Sequence, residues 1–342
     1  SFGVNTIFAD IFLRRHTDYF LLDRYSENNR NKHVTWIHGA GVRMEHIIAW
    51  GKISNGVRYS KEEINSTTIG KHSRNVVGAY MSLASDQERI YQPGFVVGID
   101  QHEYWGSIPA VNVSLTRKNK NSNISCQVAY SLGYRLPNFT ELYYRDPANQ
   151  GNKFLKAERS EQTDFSLKVG RVHCFLKARI FKRDIKKTID WVRPNAESVW
   201  TAENIGDVSM WGSGLSGRIE TKNNGNKGGA AFEFSYDYLM PVHQQFEFMR
   251  KYSGEVSRHR VRCGLNFNQS GLEVNPVISF YSRYTKNPYA IFDVSISKSF
   301  FLHAITIKPY LLVENISNVS YQEVGSVRMP GRWIKGGVVF QW

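Results

Sequence analysis

Alternation of apolar and polar residues with a period of two constrains this chain more than any other feature of its sequence. Similar alternation occurs at 231–238 and 292–299. In the final segment, one face carries Ile334, Gly336, Val338, Phe340 and Trp342, and the other carries Lys335, Gly337, Val339 and Gln341. A period of two is that of a β-strand, because successive side chains point to opposite sides. The sequence therefore predicts strands with one apolar face.

The lengths of the connections between these segments indicate how the strands are arranged. The predicted short polar turns are Ala84 to Glu88, Lys118 to Asn123 and Lys222 to Lys227, and the predicted long loops are Glu62 to Arg74, Pro137 to Arg159 and Pro241 to Arg258. Short turns on one rim and long loops on the other are typical of membrane barrels. A β-sandwich also alternates, but about sixteen strands would be oversized for one. We predict an all-β, antiparallel transmembrane β-barrel, forming one domain over residues 1–342.

Composition agrees with this prediction. Aromatic residues make up 13% of the chain, with 18 Tyr, 20 Phe and 8 Trp. Membrane barrels place such residues in girdles at the two boundaries between water and lipid. The sequence contains no run approaching the roughly 20 apolar residues that a membrane helix requires. The composition therefore excludes a helical membrane protein and leaves a barrel.

The net charge of +14 raises the question of nucleic-acid binding. The basic residues are dispersed, and no helical or zinc-finger scaffold accompanies them, so we predict no nucleic-acid partner. An inner barrel wall and loops that face anionic lipopolysaccharide account for the same excess of positive charge.

The three cysteines do not indicate a metal site. Cys126, Cys174 and Cys263 are far apart and lack the spacing of a metal site. We predict neither a metal site nor a cofactor.

The sequence also argues against catalysis. It contains no Gly-x-Ser-x-Gly elbow, and no His/Asp pair is flanked by an evident nucleophile. His16 and Asp18 share a strand face, as do His38 and His46, but histidines in a barrel wall explain both pairs. We predict that the protein is not an enzyme.

Several motifs resemble one protein family. The segment from Ser131 to Tyr143 resembles the "GYRxPxFxELY" motif of TonB-dependent receptors. The segment from Gly151 to Arg159 is similar to their "GNxxLKPER" motif, with Ala157 in place of the usual proline. Further similar segments follow in the family's order: Glu203 to Gly206, Val313 to Tyr321 and Met329 to Arg332. The resemblance extends over about residues 130–342.

The resemblance implies a receptor in the outer membrane of a Gram-negative bacterium that imports a scarce, large nutrient. Its implied partners are TonB, acting through a plug domain, outer-membrane lipid and lipopolysaccharide, and the barrel-assembly machinery; a surface lipoprotein is left open. Family barrels have twenty-two strands, so we expect this chain to be the C-terminal part, with the plug and about six strands encoded before Ser1.

The ligand that the resemblance implies rests on two shorter segments of the sequence. Arg14 to Phe20 and Gly70 to Asn75 resemble the cobalamin receptors within the family. Cobalamin is accordingly the first choice of ligand, and an iron-siderophore complex or haem is the alternative. A passive, porin-like diffusion channel is the alternative of another class.

Some motif residues have predicted structural roles. Pro137 lacks a donor and is expected to end its strand. Gly331 is expected to allow a tight turn, and Arg332 to meet lipid phosphate near the outer rim. Trp342 places an aromatic residue on the lipid-facing stripe, where it resembles the signal read by the assembly machinery. The residues expected to pair across the barrel interior or brace a loop are Arg135, Glu141, Glu158 and Arg159.

Aromatic residues in the predicted loops are the candidates for ligand binding. Their flat faces can stack on macrocycles or chelates. The candidates are Tyr143, Tyr144, Trp200, Phe246, Phe248, Tyr252, Tyr284, Tyr289 and Tyr321.

Overall fold

The computed structural model describes residues 5–21, 30–86, 88–119, 123–221, 228–242, 247–252, 256–284, 286–302, 305–323 and 327–342. Its first strands are β1 (Asn5–Leu21), β2 (Arg30–Ile48), β3 (Gly51–Ser66), β4 (Gly70–Ser85), β5 (Tyr91–His102), β6 (Gly106–Asn119) and β7 (Ile124–Arg135). A short helix, α1 (Phe139–Tyr143), follows. The next strands are β8 (Asn149–Gln150), β9 (Glu158–Gly170), β10 (Cys174–Lys186), β11 (Ile189–Arg193), β12 (Trp200–Asn204), β13 (Val208–Glu220) and β14 (Gly229–Pro241). The last are β15 (Met249–Arg250), β16 (Ser257–Gln269), β17 (Leu272–Arg283), β18 (Tyr289–Lys298), β19 (Phe300–Leu302), β20 (Ile305–Glu314) and β21 (Trp333–Gln341).

Seventeen strands form one large antiparallel sheet, which is the barrel wall. Strands β18 and β19 both pair with β20, so seventeen strands occupy sixteen positions. Each wall strand pairs with the wall strands before and after it in the chain, as in an up-and-down barrel. The predicted all-β class and strand number are confirmed. Among the described residues, β1 pairs with β2 alone and β21 with β20 alone.

The pairing register separates an outward apolar face from an inward polar one. Between β3 and β4, Val57 lies opposite Ala79 on the outward face, whereas Glu62 lies opposite Arg74 on the inward face. The Val57 side chain is 57% exposed. Exposed apolar side chains in a continuous band are stable in lipid, while ion pairs line a polar interior. The sheet therefore has the two-faced chemistry of a membrane barrel.

The final strand shows the predicted faces. Ile334 and Val338 are exposed on the outward side of β21. On the inward side, Lys335 Nζ lies 2.6 Å from Glu314 Oε2 of β20. Trp342 follows the strand and is 96% exposed. The apolar stripe read from the sequence is thus the outward stripe of this strand.

The four longest connections between wall strands lie on one rim, together with the three-residue turns 67–69 and 103–105, and the connections on the opposite rim are shorter. The short-turn rim includes the β2–β3 and β16–β17 turns, and Ser270 and Gly271 of the latter have positive φ angles of 50° and 80°. Two successive positive φ angles match a type I′ turn, which suits the twist of a hairpin. The opposite rim, here called the loop rim, carries the connections 136–157, 187–207, 242–256 and 315–332. The predicted turn from Lys222 to Lys227 lies outside the described residues.

The predicted long loop from Glu62 to Arg74 is wrong. Strand β3 continues to Ser66 and β4 begins at Gly70, so a three-residue turn joins them. The adjoining ends of β3 and β4 are polar because these strands extend beyond the apolar band. This polarity was the only basis for predicting a loop. The sequence also gave no sign of α1, a five-residue helix that begins after Asn138. In the described part of the chain, no helix is long and apolar enough to span a membrane.

Candidate ligand-binding site at the loop rim

Three long connections on the loop rim are joined by a second, smaller sheet. Its strand order is β15–β11–β12–β8, with β12 and β8 parallel and the other pairs antiparallel. These four strands come from the connections 136–157, 187–207 and 242–256. Backbone hydrogen bonds therefore join segments about a hundred residues apart into one ordered body at this rim.

A small apolar core supports this body. Its buried members are Leu142, Leu155, Ile189, Trp191 and Ala202, and the partly buried Trp105, Tyr143, Tyr144 and Trp200 pack against them. Because burial of apolar area stabilises at roughly 25 cal/mol per Å², aromatic side chains contribute most of the packing energy here. The described strands of these connections are consequently packed on a common core.

Arg135 fastens this body to the barrel wall. Its Nε donates to Glu158 Oε2 at 2.6 Å, and its Nη1 donates to Glu141 at 3.0 Å. Glu141 also caps α1, since its side chain accepts from the Asn138 backbone N–H at 2.8 Å. Glu158 Oε1 accepts from the backbone N–H of Ile189 at 2.5 Å. Three of the four residues predicted to pair therefore lie together, and they connect β7, α1, β9 and β11.

The fourth residue, Arg159, lies apart from this group. Its Nε is 3.3 Å from Glu161 Oε1, on its own strand. Arg159 follows Glu158 in β9, and consecutive strand residues point to opposite faces. Arg159 thus forms an ion pair within β9 and takes no part in the group around Arg135.

Pro137 lies just past the end of β7, which stops at Arg135. Its side chain is fully buried, and its carbonyl accepts a hydrogen bond from Arg74 Nη1 at 2.8 Å. This bond ties the start of the 136–157 connection to the inward face of β4.

Gly331 and Arg332 both lie in the connection 315–332. The φ angle of Gly331 is not in the left-handed region, so a tight turn does not explain this glycine. A Cβ atom there would lie 2.5 Å from Asn318 Oδ1, which accepts from the Arg332 N–H at 2.9 Å. The Arg332 Nε donates to the Ile316 carbonyl at 2.8 Å. Both residues thus brace the 315–332 connection, and the contact of Arg332 with lipid phosphate stays a prediction.

Cations lie over aromatic rings at the outer part of the small sheet, in a group that we call the cation–aromatic cluster: Trp191, Arg193, Trp200, Lys251 and Tyr252. The Arg193 guanidinium carbon is 4.4 Å from the Trp200 ring centroid. Lys251 Nζ is 5.7 Å from the centroids of Trp191 and Trp200 and 5.8 Å from that of Tyr252. Trp191 is buried, so the cluster offers a ligand the positive charge of Arg193 and Lys251 beside the partly exposed Trp200 and the exposed Tyr252. This combination suits an anionic ligand with rings.

Asp190 holds the cluster in position. Its buried carboxylate accepts from the backbone N–H groups of Trp191 at 2.7 Å and Tyr252 at 3.2 Å. It therefore joins the connections 187–207 and 242–256 directly. Lys251 Nζ also donates to Asn149 Oδ1 at 3.0 Å, which adds the connection 136–157.

Burial changes the ionisation of the cluster. It lowers the pKa of Lys251 from its ordinary value of 10.5, although nearby Asp146 acts in the opposite direction. Burial raises the pKa of the Tyr252 hydroxyl above 10.0. At neutral pH, Tyr252 is therefore an uncharged donor that does not oppose an anion.

Three other aromatic candidates, Tyr143, Tyr144 and Tyr284, make separate contacts outside the cluster. Tyr143 stacks on His72, with centroids 3.6 Å apart and planes 2° from parallel. Burial raises the pKa of the Tyr144 hydroxyl, as does its hydrogen bond to Asp146. Tyr284 donates to the Leu239 carbonyl at 2.8 Å.

A second aromatic group lies where β17 and β18 meet the connection 315–332. Tyr289 stacks on Tyr321 with centroids 4.7 Å apart, and on Tyr281 at 5.1 Å. An open cavity of about 530 Å³ adjoins them and is also lined by Lys286 and Arg328. Phe248 is half-buried in the short segment before β15, and Phe246 lies outside the described residues.

Sequence reasoning missed the charged members of the cluster. Arg193 and Lys251 were not selected as candidates, although Lys251 directly precedes the candidate Tyr252. Their relevance depends on a small sheet between distant segments, which strand alternation does not reveal. In the part of the chain that the structure describes, no three His, Cys, Asp or Glu side chains are grouped to hold a metal ion.

Comparison with known proteins gives a family and a fold. The family described as TonB dependent receptor-like, beta-barrel matches residues 52–329. No curated protein sequence matches the chain significantly. Among solved structures, the ferric enterobactin receptor of Pseudomonas aeruginosa is 12% identical, with a TM-score of 0.70 over 98% of this chain and 59% of that one.

Two further solved structures are similar in the same way. The copper transporter OprC is 14% identical, with a TM-score of 0.69 over 97% of this chain and 62% of that one. The FrpB iron transporter of Neisseria meningitidis is 13% identical, with a TM-score of 0.69 over 97% of this chain and 59% of that one. At these identities the likeness shows the fold. The chain spans about three-fifths of the length of these structures.

Proposed function

Because this chain belongs to the TonB-dependent receptor-like β-barrel family, we propose that it forms the ligand-binding barrel of an outer-membrane receptor that imports an anionic metal chelate. The observation that carries the proposal is the cation–aromatic cluster, where Arg193 and Lys251 lie over the indoles of Trp191 and Trp200. The protein binds and passes its ligand without changing it chemically.

The charge of the cluster favours one ligand class over another. A ferric catecholate complex is negatively charged and carries aromatic rings, so it matches both features. Cobalamin is a bulky macrocycle whose periphery is dominated by neutral amides, and it gains less from the two cations. We therefore place an iron chelate ahead of cobalamin, the first choice from sequence. The ferric enterobactin receptor and the FrpB iron transporter among the similar structures agree with this order.

We further propose that additional strands complete the wall and that a plug within it couples transport to TonB. In the described residues, the free edges of β1 and β21 expose unpaired backbone groups. Such edges are not stable in hydrocarbon, where every backbone donor and acceptor needs a partner within the protein. Energy supplied through TonB would then move the plug while the barrel stays a rigid wall.

Direct titration of the native protein in detergent tests the ligand class. Quenching of tryptophan fluorescence should report binding of a ferric catecholate complex with at least tenfold higher affinity than cyanocobalamin. A double variant, Arg193→Gln with Lys251→Gln, should lose about tenfold or more in affinity for the iron complex, because two charges near the ligand are removed. Equal affinity in the variant, or tighter binding of cyanocobalamin, would contradict the proposed ligand class.

Planar-bilayer conductance separates a receptor from a porin, the rival class. A plugged receptor conducts very little, whereas a diffusion channel conducts steadily once inserted. We expect the native protein to show little conductance until the plug is unfolded with denaturant. Steady open conductance of the untreated native protein would replace the receptor with a diffusion channel.

A further inference from the structure

The register of the barrel wall brings residues of eight neighbouring strands into one row. Each member lies directly opposite the next across β6, β7, β9, β10, β13, β14, β16 and β17. Four members are basic and four are serines. We call them the lumenal row: Lys118, Ser125, Lys168, Lys177, Ser216, Ser235, Arg262 and Ser279.

The lumenal row faces the interior of the barrel and not the lipid. In the register of β9 and β10, the pair next to Lys168 and Lys177 is Val169 and Leu176. These two apolar side chains are 44% and 47% exposed on the outward face. Consecutive residues of a strand point to opposite faces, so the two lysines point inward.

The positive charge of the lumenal row is not neutralised within the protein. Within the residues that the structure describes, none of its four basic side chains forms an ion pair. In these eight strands, the inward rows on either side contain one carboxylate each, and each lies against a cation of its own. Glu233 pairs with Arg218, and Asp237 lies opposite Arg260. The row therefore keeps the charge of its basic residues.

Two cations of the row lie directly opposite each other. Lys168 on β9 is the cross-strand partner of Lys177 on β10, and like charges at such positions destabilise a sheet. An anion bound between the two ammonium groups relieves this repulsion. Ser125 and Ser216 flank the pair on β7 and β13, and their hydroxyls can donate to the same anion. The pair is therefore complementary to a group with several anionic oxygen atoms.

A cavity in the inner wall continues the row beyond this pair. It has a volume of about 340 Å³ and is lined by residues of four strands: Phe175, Ser216, Arg218, Glu233, Ser235 and Arg262. Lys168 Nζ lies 4.3 Å from the centroid of the Phe175 ring, so a further cation adjoins the cavity. Since Glu233 is paired with Arg218, Arg262 remains available to an anionic group in this cavity.

The row runs obliquely along the wall. Lys118 directly precedes Asn119, the last residue of β6 at the short-turn rim, whereas Ser279 lies well inside β17. Barrel strands tilt relative to the barrel axis, so a row perpendicular to the strands climbs as it crosses them. The lumenal row therefore leads from the middle of the lumen to the short-turn rim.

We propose that the lumenal row is an anion-binding track along which the anionic groups of the ligand pass through the lumen toward the short-turn rim. This inference rests on the proposed function, since it assumes that an anionic ligand enters the lumen. Arg262 meets the ligand first, the pair of Lys168 and Lys177 binds it next, and Lys118 lies at the exit. Several weak sites in series allow passage, whereas one tight site would stop it.

The ion selectivity of the pore tests the row without the chelate. The native protein is inserted in a planar bilayer, opened with denaturant where a plug closes it, and placed in a gradient of potassium chloride. The reversal potential should show that chloride is favoured over potassium. The lysine-pair variant, Lys168→Gln with Lys177→Gln, should lower the chloride-to-potassium permeability ratio at least about threefold, because two lumenal charges are removed.

A matched control removes the same charge from the other face of the wall. Arg117→Gln with Lys182→Gln changes outward residues of β6 and β10, and the permeability ratio should stay within about 1.5-fold of wild type. The lysine-pair variant should also fold, since its substitutions remove a repulsion between like charges. Its unfolding temperature in heat-modifiability gels should not fall below that of wild type.

Transport of a ferric catecholate complex gives a second test. The lysine-pair variant in detergent should bind the complex with an affinity within about twofold of wild type, since the cation–aromatic cluster is intact. In living cells its maximal uptake rate should fall at least about threefold, because passage loses two of its anion contacts. A lower rate with unchanged affinity separates the track from the capture site.

Three results would overturn this inference: equal permeability ratios in wild type and the lysine-pair variant, equal maximal uptake rates, or conductance without denaturant in the variant alone. The last result would show that the row holds the plug in place. Failure of the native protein to bind the chelate would contradict the proposed function, whereas the permeability ratio would still decide whether the row binds anions.

Discussion

Arg135 and Glu158 form a two-point ion pair, with Nε to Oε2 at 2.6 Å and Nη2 to Oε1 at 2.9 Å. The same guanidinium reaches Glu141, so one residue links the wall to the helix and to the ordered loops. The side chains of Glu141 and Glu158 are only 11% and 13% exposed. The position of the small sheet at the loop rim therefore depends on this arginine.

Replacing Arg135 by alanine should destabilise the protein by about 2–3 kcal/mol, because two poorly solvated carboxylates lose their partner. The temperature at which the folded form is lost in heat-modifiability gels should fall, and the connection 136–157 should become more sensitive to protease. Arg159→Ala is the control, since its exposed pair with Glu161 contributes about 0–1 kcal/mol. Equal effects of the two substitutions would show that Arg135 is not the anchor.

Two neighbouring valines in β21 test which face meets lipid. Val338→Glu places a carboxylate on the outward face, at a cost of up to about 2–4 kcal/mol depending on depth. Val339→Glu places the same group on the inward face, opposite Lys308. The first variant should yield much less folded barrel in membrane fractions than the second. For the same reason, Trp342→Asp should impair assembly more than Gln341→Asp. If the inward variant of each pair were the more harmful one, the two faces of β21 would be inverted.

The lowered pKa of Lys251 predicts a pH dependence for chelate binding. Burial disfavours its charged form, so the ammonium loses its proton at a pH below the ordinary 10.5. Affinity for an anionic chelate should therefore be full at neutral pH and should decline as the pH rises through that lowered pKa. Lys251→Arg should move the decline to higher pH, because guanidinium stays protonated. Matching alkaline profiles in both proteins would show that Lys251 does not act through its charge.

Asp190 gives a test of loop order. Asp190→Ala leaves the backbone N–H groups of Trp191 and Tyr252 without their carboxylate acceptor, at about 1–3 kcal/mol for the buried N–H of Trp191 and less for that of the exposed Tyr252. Limited proteolysis should then cut within 242–256 sooner, and chelate affinity should fall. Glu203→Ala is the control, since Glu203 is an exposed carboxylate opposite Asp190 in β12. Unchanged proteolysis of the Asp190 variant would show that the segment is held by other contacts.

The barrel wall could be predicted from sequence because lipid and lumen impose opposite chemistry on alternate residues of each strand. The outward stripe of β21 and the number of wall positions both follow from this alternation. The same reasoning failed at Glu62 to Arg74, where the strands extend beyond the apolar band and polar residues occupy both faces. A polar stretch of sequence indicates a loop only where the strands on either side of it end at the edge of the apolar band.

The site was predicted less completely than the wall. Aromatic residues in loops could be selected by type, and Trp200 and Tyr252 do lie in the cation–aromatic cluster. Their partners Arg193 and Lys251 are about sixty residues apart in the chain, and the sheet that joins their segments is only a few residues wide. Such contacts depend on how distant loops pack together, and no local sequence pattern predicts that packing.

Accumulation of a radiolabelled ferric catecholate complex in living cells tests the central claim most directly. Cells carrying the native protein should accumulate the iron complex, and an uncoupler of the inner-membrane proton gradient should abolish accumulation. The Arg193→Gln, Lys251→Gln variant should require about tenfold more complex for half-maximal uptake. Uptake that continues in uncoupled cells, with the same concentration dependence in the variant, would contradict an energy-coupled receptor that captures its ligand at this cluster.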